Sequence, residues 1–151
     1  MKKNFGKYRF TYICAIQPER DKKGKIRQFT PQCLYMNRRR LPLHKYGKGP
    51  FCRFRIPKDF PIEGVYTLIV NGIVKYIGEC INLSSRFNMG YGQISPRNCY
   101  YGGQHTNCRV NHLILETTKR SKSVGLWFFK TPKRKNIESE LIADFHPFWN
   151  R

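Results

Sequence analysis

Acidic residues are what this chain has least of. Aspartate and glutamate together number 9 in 151 residues, against 29 lysines and arginines, and the formal net charge is +20. A compact chain so short of negative charge repels itself, and such an excess points to a polyanionic partner. Nucleic acid is the leading one. An anionic membrane surface is the weaker candidate, because no strongly amphipathic basic helix is visible. Long apolar runs are missing too. The longest are residues 66–70 and 126–129, against the ~20 residues of a spanning helix, so no membrane partner is expected. The start, Met1-Lys-Lys-Asn-Phe-Gly-Lys, carries charge with no apolar stretch behind it. A secretory signal is therefore not expected, and a cytoplasmic location is. The six cysteines, at 14, 33, 52, 80, 99 and 108, include no CxxC pair. That argues against a disulfide framework and for reduced thiols, several of them acting as small buried apolar groups. The glycine- and lysine-containing loop at residues 41–50 lacks the GK[ST] spacing of a phosphate-binding P-loop. Internal repeats and low-complexity segments are absent.

What is present is enough to build a core. Hydrophobic residues make up 40% and aromatics 15% of the chain, so wholesale disorder is excluded. The length suits one domain, or one domain with a structured extension. Charge divides the chain. Residues 1–60 hold 17 basic and 3 acidic residues (+14), and residues 61–151 hold 12 and 6 (+6). The first part shows a period-two run, Tyr8, Phe10, Tyr12, Cys14 and Ile16, and a possible second strand from Ile26 to Met36 broken by Pro31. Pro57 and Pro61 mark a boundary near residues 57–63. Beyond it, residues 65–70 and 73–78 flank Asn71-Gly72, the strongest short hairpin signal. Asn82 suits the cap of a helix from Leu83 to about Met89. Residues 90–108 form a long polar, Gly-rich stretch. Residues 110–117 and 124–129 suggest two more strands. Asn136 suits the cap of a last helix, ending near Phe145 before Pro147.

Gly64-Val65-Tyr66, nine residues and then Tyr76-Ile77-Gly78 resemble the signature of the GIY-YIG nuclease family. Arg86 follows Tyr76 by ten residues on the predicted helix, as the family's arginine does. A late helix carries Glu138-Ser-Glu-Leu-Ile142, and the chain then reads His146-Pro147-Phe-Trp-Asn150. These match the family's glutamate before an apolar pair and its Pro-x-x-Asn close. The resemblance covers roughly residues 64–151. It implies an α+β fold, a small and mainly antiparallel sheet flanked by helices. It also implies a metal-dependent endonuclease that hydrolyses phosphodiester bonds with one Mg²⁺ or Mn²⁺, leaving a 5′-phosphate. On this reading residues 1–60 are a β-rich basic extension adding DNA contacts. Residues 61–151 are the nuclease domain, with an insertion near 90–109. Double-stranded DNA is the expected partner. A restriction or defence role is the first biological expectation, and a homodimer is one way of cutting both strands.

The residues make chemical sense without the name. Phosphodiester hydrolysis needs a deprotonated water and relief of charge on the transition state. Arg86 presents a fixed fork of donors that suits phosphate oxygens. Glu138 is a hard oxygen ligand for Mg²⁺. Tyr66 can take a proton from water if a nearby cation and metal-bound water bring its pKa down from ~10. Tyr76 then hydrogen-bonds the phosphate or the water, and Asn150 closes the motif. Glu140, two residues from Glu138, is assigned to the surface. One constraint follows from geometry. A plain two-residue turn at Asn71-Gly72 puts Tyr66 and Tyr76 on opposite sheet faces, so a shared site requires a bulge or a longer loop.

Many family members carry a tyrosine or histidine four residues after the arginine; here that position is Gly90. Either Tyr91, with a local adjustment, or His105 is expected to take its place. Arg38, Arg39, Arg40, Lys45 and Lys48 are expected to extend the phosphate-binding surface. Gln93, Arg97, Gln104, His105 and Arg109 in the insertion are expected to help recognise nucleic acid. Cys99, His105, Cys108 and His112 are a second option, a zinc site, against which buried thiols are the better reading. The rival function is a non-catalytic nucleic-acid binder, a decayed nuclease or an RNA-associated protein.

Overall fold

The computed structural model describes residues 1–151. Five strands form one antiparallel sheet: β1 (Lys2–Phe5), β2 (Tyr8–Ile16), β3 (Gly64–Val70), β4 (Ile73–Cys80) and β5 (Val124–Lys130), in the order β1-β2-β5-β3-β4. Three helices flank it: α1 (Leu83–Arg86), α2 (His105–Lys119) and α3 (Arg134–Phe145). The fold is α+β. Of the first sixty residues, β1 and β2 belong to this sheet. Strand β2 lies inside it, bonded to β5, and residues 17–63 then lead back to β3.

Strand β3 shows how the layers form. All seven of its residues are buried, because both sheet faces are covered. Tyr66, Leu68 and Val70 join Val110, Ile114 and Leu115 of α2 in one apolar cluster. Val65 and Ile69 join Ile137 and Leu141 of α3 in another, with Phe5, Phe10 and Trp127. Successive β3 side chains thus feed opposite cores, as a strand period of two requires. Strand β4 is left as a free edge beside both helical layers.

The stretch at 110–117 is helical, contrary to the expected strand. Buried Asn107, Cys108, Val110, Asn111, Ile114, Leu115 and Thr118 recur at three- and four-residue intervals along α2, the stripe of a half-buried helix. Residues 26–36 form no strand either: Ile26 and Phe29 make single bridges, and Pro31–Leu34 is a 3₁₀ turn. Helix α3 begins at Arg134 with no side-chain cap, so Asn136 does not start it.

Candidate active site

The hairpin brings two phenols to one face. Asn71 and Gly72 both take left-handed backbone angles, φ 51° and 76°, as a two-residue hairpin turn requires. Val70 pairs with Ile73 and Ile69 with Val74, but Leu68 then pairs with Tyr76. Lys75 is the extra residue of a bulge. It shifts the parity of β4, so Tyr76 shares the face of Leu68 and therefore of Tyr66, as the shared-site constraint demanded. The rings of Tyr66 and Tyr76 lie 6.2 Å apart. Gly78, opposite Tyr66 in the ladder, makes room for it: a Cβ there would lie 2.3 Å from the Tyr66 hydroxyl.

Helix α1 adds the cation. Asn82 caps it, accepting the Ser85 N–H at 3.0 Å. After Arg86 the helix widens into a π-turn, Phe87–Tyr91, closed by the Gly92 N–H donating to the Phe87 carbonyl at 2.6 Å. A π-turn advances five residues where an α-turn advances four. Tyr91 therefore stands over Arg86, where a residue at Gly90 would stand in a regular helix. The Arg86 guanidinium donates through Nη2 to the Tyr91 hydroxyl at 2.9 Å and lies 4.3 Å from its ring centroid. The Tyr91 hydroxyl is 2.5 Å from that of Tyr66 and 3.2 Å from that of Tyr76. Tyr91, and not His105, is the third aromatic of the cluster. His105 stacks on His44 instead, ring centroids 4.1 Å apart.

Two asparagines of α2 hold this arrangement. Asn107 accepts from Arg86 Nη1 at 3.1 Å. Asn111, fully buried, donates to the Tyr91 carbonyl at 2.7 Å and binds both backbone polar groups of Cys52. Neither role was legible in the sequence, where Asn107 falls in the polar insertion and Asn111 in the strand expected at 110–117.

Glu138 approaches from the other side. Its neighbours Ile137 and Leu141 pack on the face opposite the phenols, so its carboxylate comes to the β4 edge near Glu79. It is half-buried. Burial and the Glu79 carboxylate raise its pKa, while the Glu79 backbone N–H and the Arg86 charge oppose the shift. Glu79 is ion-paired with Arg134, which also reaches Glu63 at 3.4 Å. Glu79, Arg86, Asn107, Gln104 and Arg134 line an open cleft of about 560 Å³. Asn150 binds both the N–H and the carbonyl of Ile77, at 2.9 and 2.8 Å. Its side chain is thus a clamp on the strand between Tyr76 and Gly78. Glu140 is exposed and accepts from the Tyr8 hydroxyl at 2.6 Å.

No protein-family model, curated protein or solved structure matches this chain. The site is therefore read from its own chemistry.

That chemistry departs from the sequence expectation at Tyr66. Burial pushes its pKa well above 10, the Tyr91 and Tyr76 phenols add to the rise, and Arg86 only partly offsets it. Tyr76 is raised as well, chiefly by burial. A resting phenolate, the form a proton acceptor needs, is disfavoured at both positions. The cleft meets the network at Arg86, with the phenols behind it.

The zinc option does not assemble, since no three of the chain's His, Cys, Asp or Glu side chains are placed to hold a metal. His112 turns to the Pro50 carbonyl at 2.8 Å, and Cys99 and Cys108 are buried free thiols. The basic loop and the insertion form a joined surface. Leu43 bridges Tyr100, His44 N–H donates to the Cys99 carbonyl, and Tyr101 N–H to that of Pro42. Arg38, Arg39, Arg40, Lys45, Lys48, Gln93, Gln104 and His105 are exposed. Arg97 is half-buried, donating to the Tyr101 carbonyl at 3.2 Å. Arg109 is drawn inward, its guanidinium 5.8 Å from the Tyr46 ring centroid.

Proposed function

We propose that this protein is a metal-dependent endonuclease of the GIY-YIG type, acting on DNA, with a restriction or defence role. The observation that carries the reading is the convergence of Tyr66, Tyr76 and Tyr91 on Arg86 at the wall of an open cleft. Glu138 stands within electrostatic range of the same guanidinium.

Arg86 is held by two partners, Asn107 and Tyr91, and its planar fork is oriented before substrate arrives. Such preorganised donors stabilise charge that develops on a phosphate in the transition state. The donor set at the β4 edge also suits one divalent ion. Glu138 carries a half-buried charge that burial and Glu79 both disfavour, whereas Glu79 is already paired with Arg134. A hard cation taking one carboxylate, with water and substrate oxygens for the rest, relieves that charge; Mg²⁺ or Mn²⁺ behaves so. Bound there, the ion supplies Lewis-acid stabilisation of the phosphate oxygens. The attacking water would give its proton to the network only in the minor fraction of molecules in which one phenol is already ionised, a form that the Arg86 charge favours. Because the phenols are raised, the neutral form dominates at pH 7, and the rate rises with pH across the whole neutral and mildly alkaline range.

Incubation with supercoiled plasmid tests the reading. Nicking or linearisation is expected with Mg²⁺ and not with EDTA. Arg86→Ala and Glu138→Ala should each lower the rate on the order of a hundredfold or more, while DNA binding persists. Binding without metal-dependent cleavage across DNA and RNA substrates supports the non-catalytic binder instead.

A further inference from the structure

A second concavity lies behind the phenol cluster, between α2 and the C-terminal 3₁₀ turn Phe148–Asn150. It measures about 190 Å³ and is lined by Tyr46, Arg109, His112, Leu113, Phe148 and Trp149, among others. That is below the ~300–1,000 Å³ of ordinary small-molecule pockets, which leaves room for one flat ring system. Its aromatic walls differ in burial. Trp149 is packed into the core, whereas Phe148 is 66% exposed at the rim, with the Arg151 guanidinium 5.3 Å from its ring centroid.

Arg109 makes the pocket more than apolar. Its Nε is buried with no hydrogen-bond partner, and no carboxylate pairs with its guanidinium. Nε is closed off by its surroundings, so an acceptor-bearing planar group in the pocket meets the guanidinium through its Nη groups, by stacking and hydrogen bonding. The pocket is also tied to the candidate active site. The turn that carries Phe148 is pinned to Ile77 by Asn150, next to Tyr76, and the Arg109 charge reaches the Tyr76 phenol.

We infer that this pocket binds a nucleobase of the nucleic acid, stacked on Phe148 and hydrogen-bonded by Arg109. The inference rests on the nuclease reading for its substrate. Aromatic walls accept any base face and so give little sequence preference; selectivity among bases falls to Arg109 and His112. Nucleic acid brings both a flat ring and the negative charge that suits the +20 balance of the chain.

Nucleoside 5′-monophosphates are the probe, titrated into the full chain in EDTA and followed by saturation-transfer NMR. Saturation should reach the base protons more strongly than the ribose protons. Phe148→Ala should weaken binding about tenfold, as loss of one stacking partner does, and Phe148→Trp should restore it. Excess inorganic phosphate should not displace the nucleotide. Three results overturn the inference: no saturation transfer at millimolar nucleotide, full displacement by phosphate, or unchanged affinity in Phe148→Ala. Plasmid nicking assayed in parallel reads the nuclease proposal independently, so the failure of one is told from the failure of the other.

Discussion

Tyr91 is the residue on which the site turns. Its hydroxyl is shared by Tyr66, Tyr76 and Arg86, in a place where none of the three phenols has water for a substitute. Tyr91→Phe deletes one oxygen and leaves buried phenols and a guanidinium nitrogen short of a partner. The expected loss is about 1–3 kcal/mol of stability, read by urea or thermal unfolding, and a variant as stable as the parent contradicts the network. Glu138 has the opposite sign. Its folded-state pKa is raised, so the folded form holds a proton more tightly than the unfolded one. That contribution is complete below the ordinary carboxylate value of ~4.3 and is lost as pH rises through the folded value. At pH 7 the ionised side chain therefore works against folding. Glu138→Gln should raise Tm at pH 7 without divalent ions, the gain should vanish at low pH, and Mg²⁺ should raise Tm in the parent alone. A Gln variant that melts at or below the parent at pH 7 would exclude this account.

At the scale of elements, parity decides. The Lys75 bulge exists because the Asn71-Gly72 turn and the tyrosine spacing disagree by one residue. Removing Lys75 closes the bulge and leaves Leu68 opposite Tyr76, with both tyrosines on one face. The deletion should fold and retain metal-dependent cleavage within about tenfold. Deleting Thr67 instead moves Tyr66 relative to the rest of β3 and should abolish cleavage; equal behaviour of the two deletions would refute the parity argument. The need for a bulge was legible in the residue count, as were the Asn-Gly turn, the Asn82 cap and the alternation of β2. Helix α2 was not, because its buried stripe uses Asn107, Asn111 and Thr118, which score as polar in any hydrophobicity pattern. Their burial is satisfied by distant partners: Arg86 for Asn107, Cys52 and Tyr91 for Asn111. The π-turn was hidden for a similar reason. Composition marks a short helix after Asn82, and only the requirement that Tyr91 meet Arg86 reveals the extra residue in its turn. Glu79 and Arg134 were missed because an ion pair between a strand edge and a helix start leaves no local spacing to read.

The whole molecule carries its charge almost unneutralised. Its 29 lysines and arginines meet only 9 acidic residues, and the exposed ion pairs, such as Lys7 with Glu140 and Arg27 with Glu19, contribute little. Two opposite responses to salt follow. In the free protein, added salt screens repulsion among exposed cations within a Debye length of about 10 Å at 0.1 M, so Tm should rise as NaCl increases. In the complex, each phosphate neutralised releases counterions, and salt reverses that gain. If the exposed residues 38–40, 45 and 48 with their neighbours contact 6–10 phosphates, affinity should fall roughly 10³–10⁵-fold between 50 and 200 mM salt. The two measurements use one protein and one salt series, which removes unfolding as an explanation for lost binding: the chain is expected to gain stability over the range in which affinity for DNA is expected to fall. Affinity indifferent to salt, or a Tm that falls with it, would mean that the positive surface is not arranged for a polyanion.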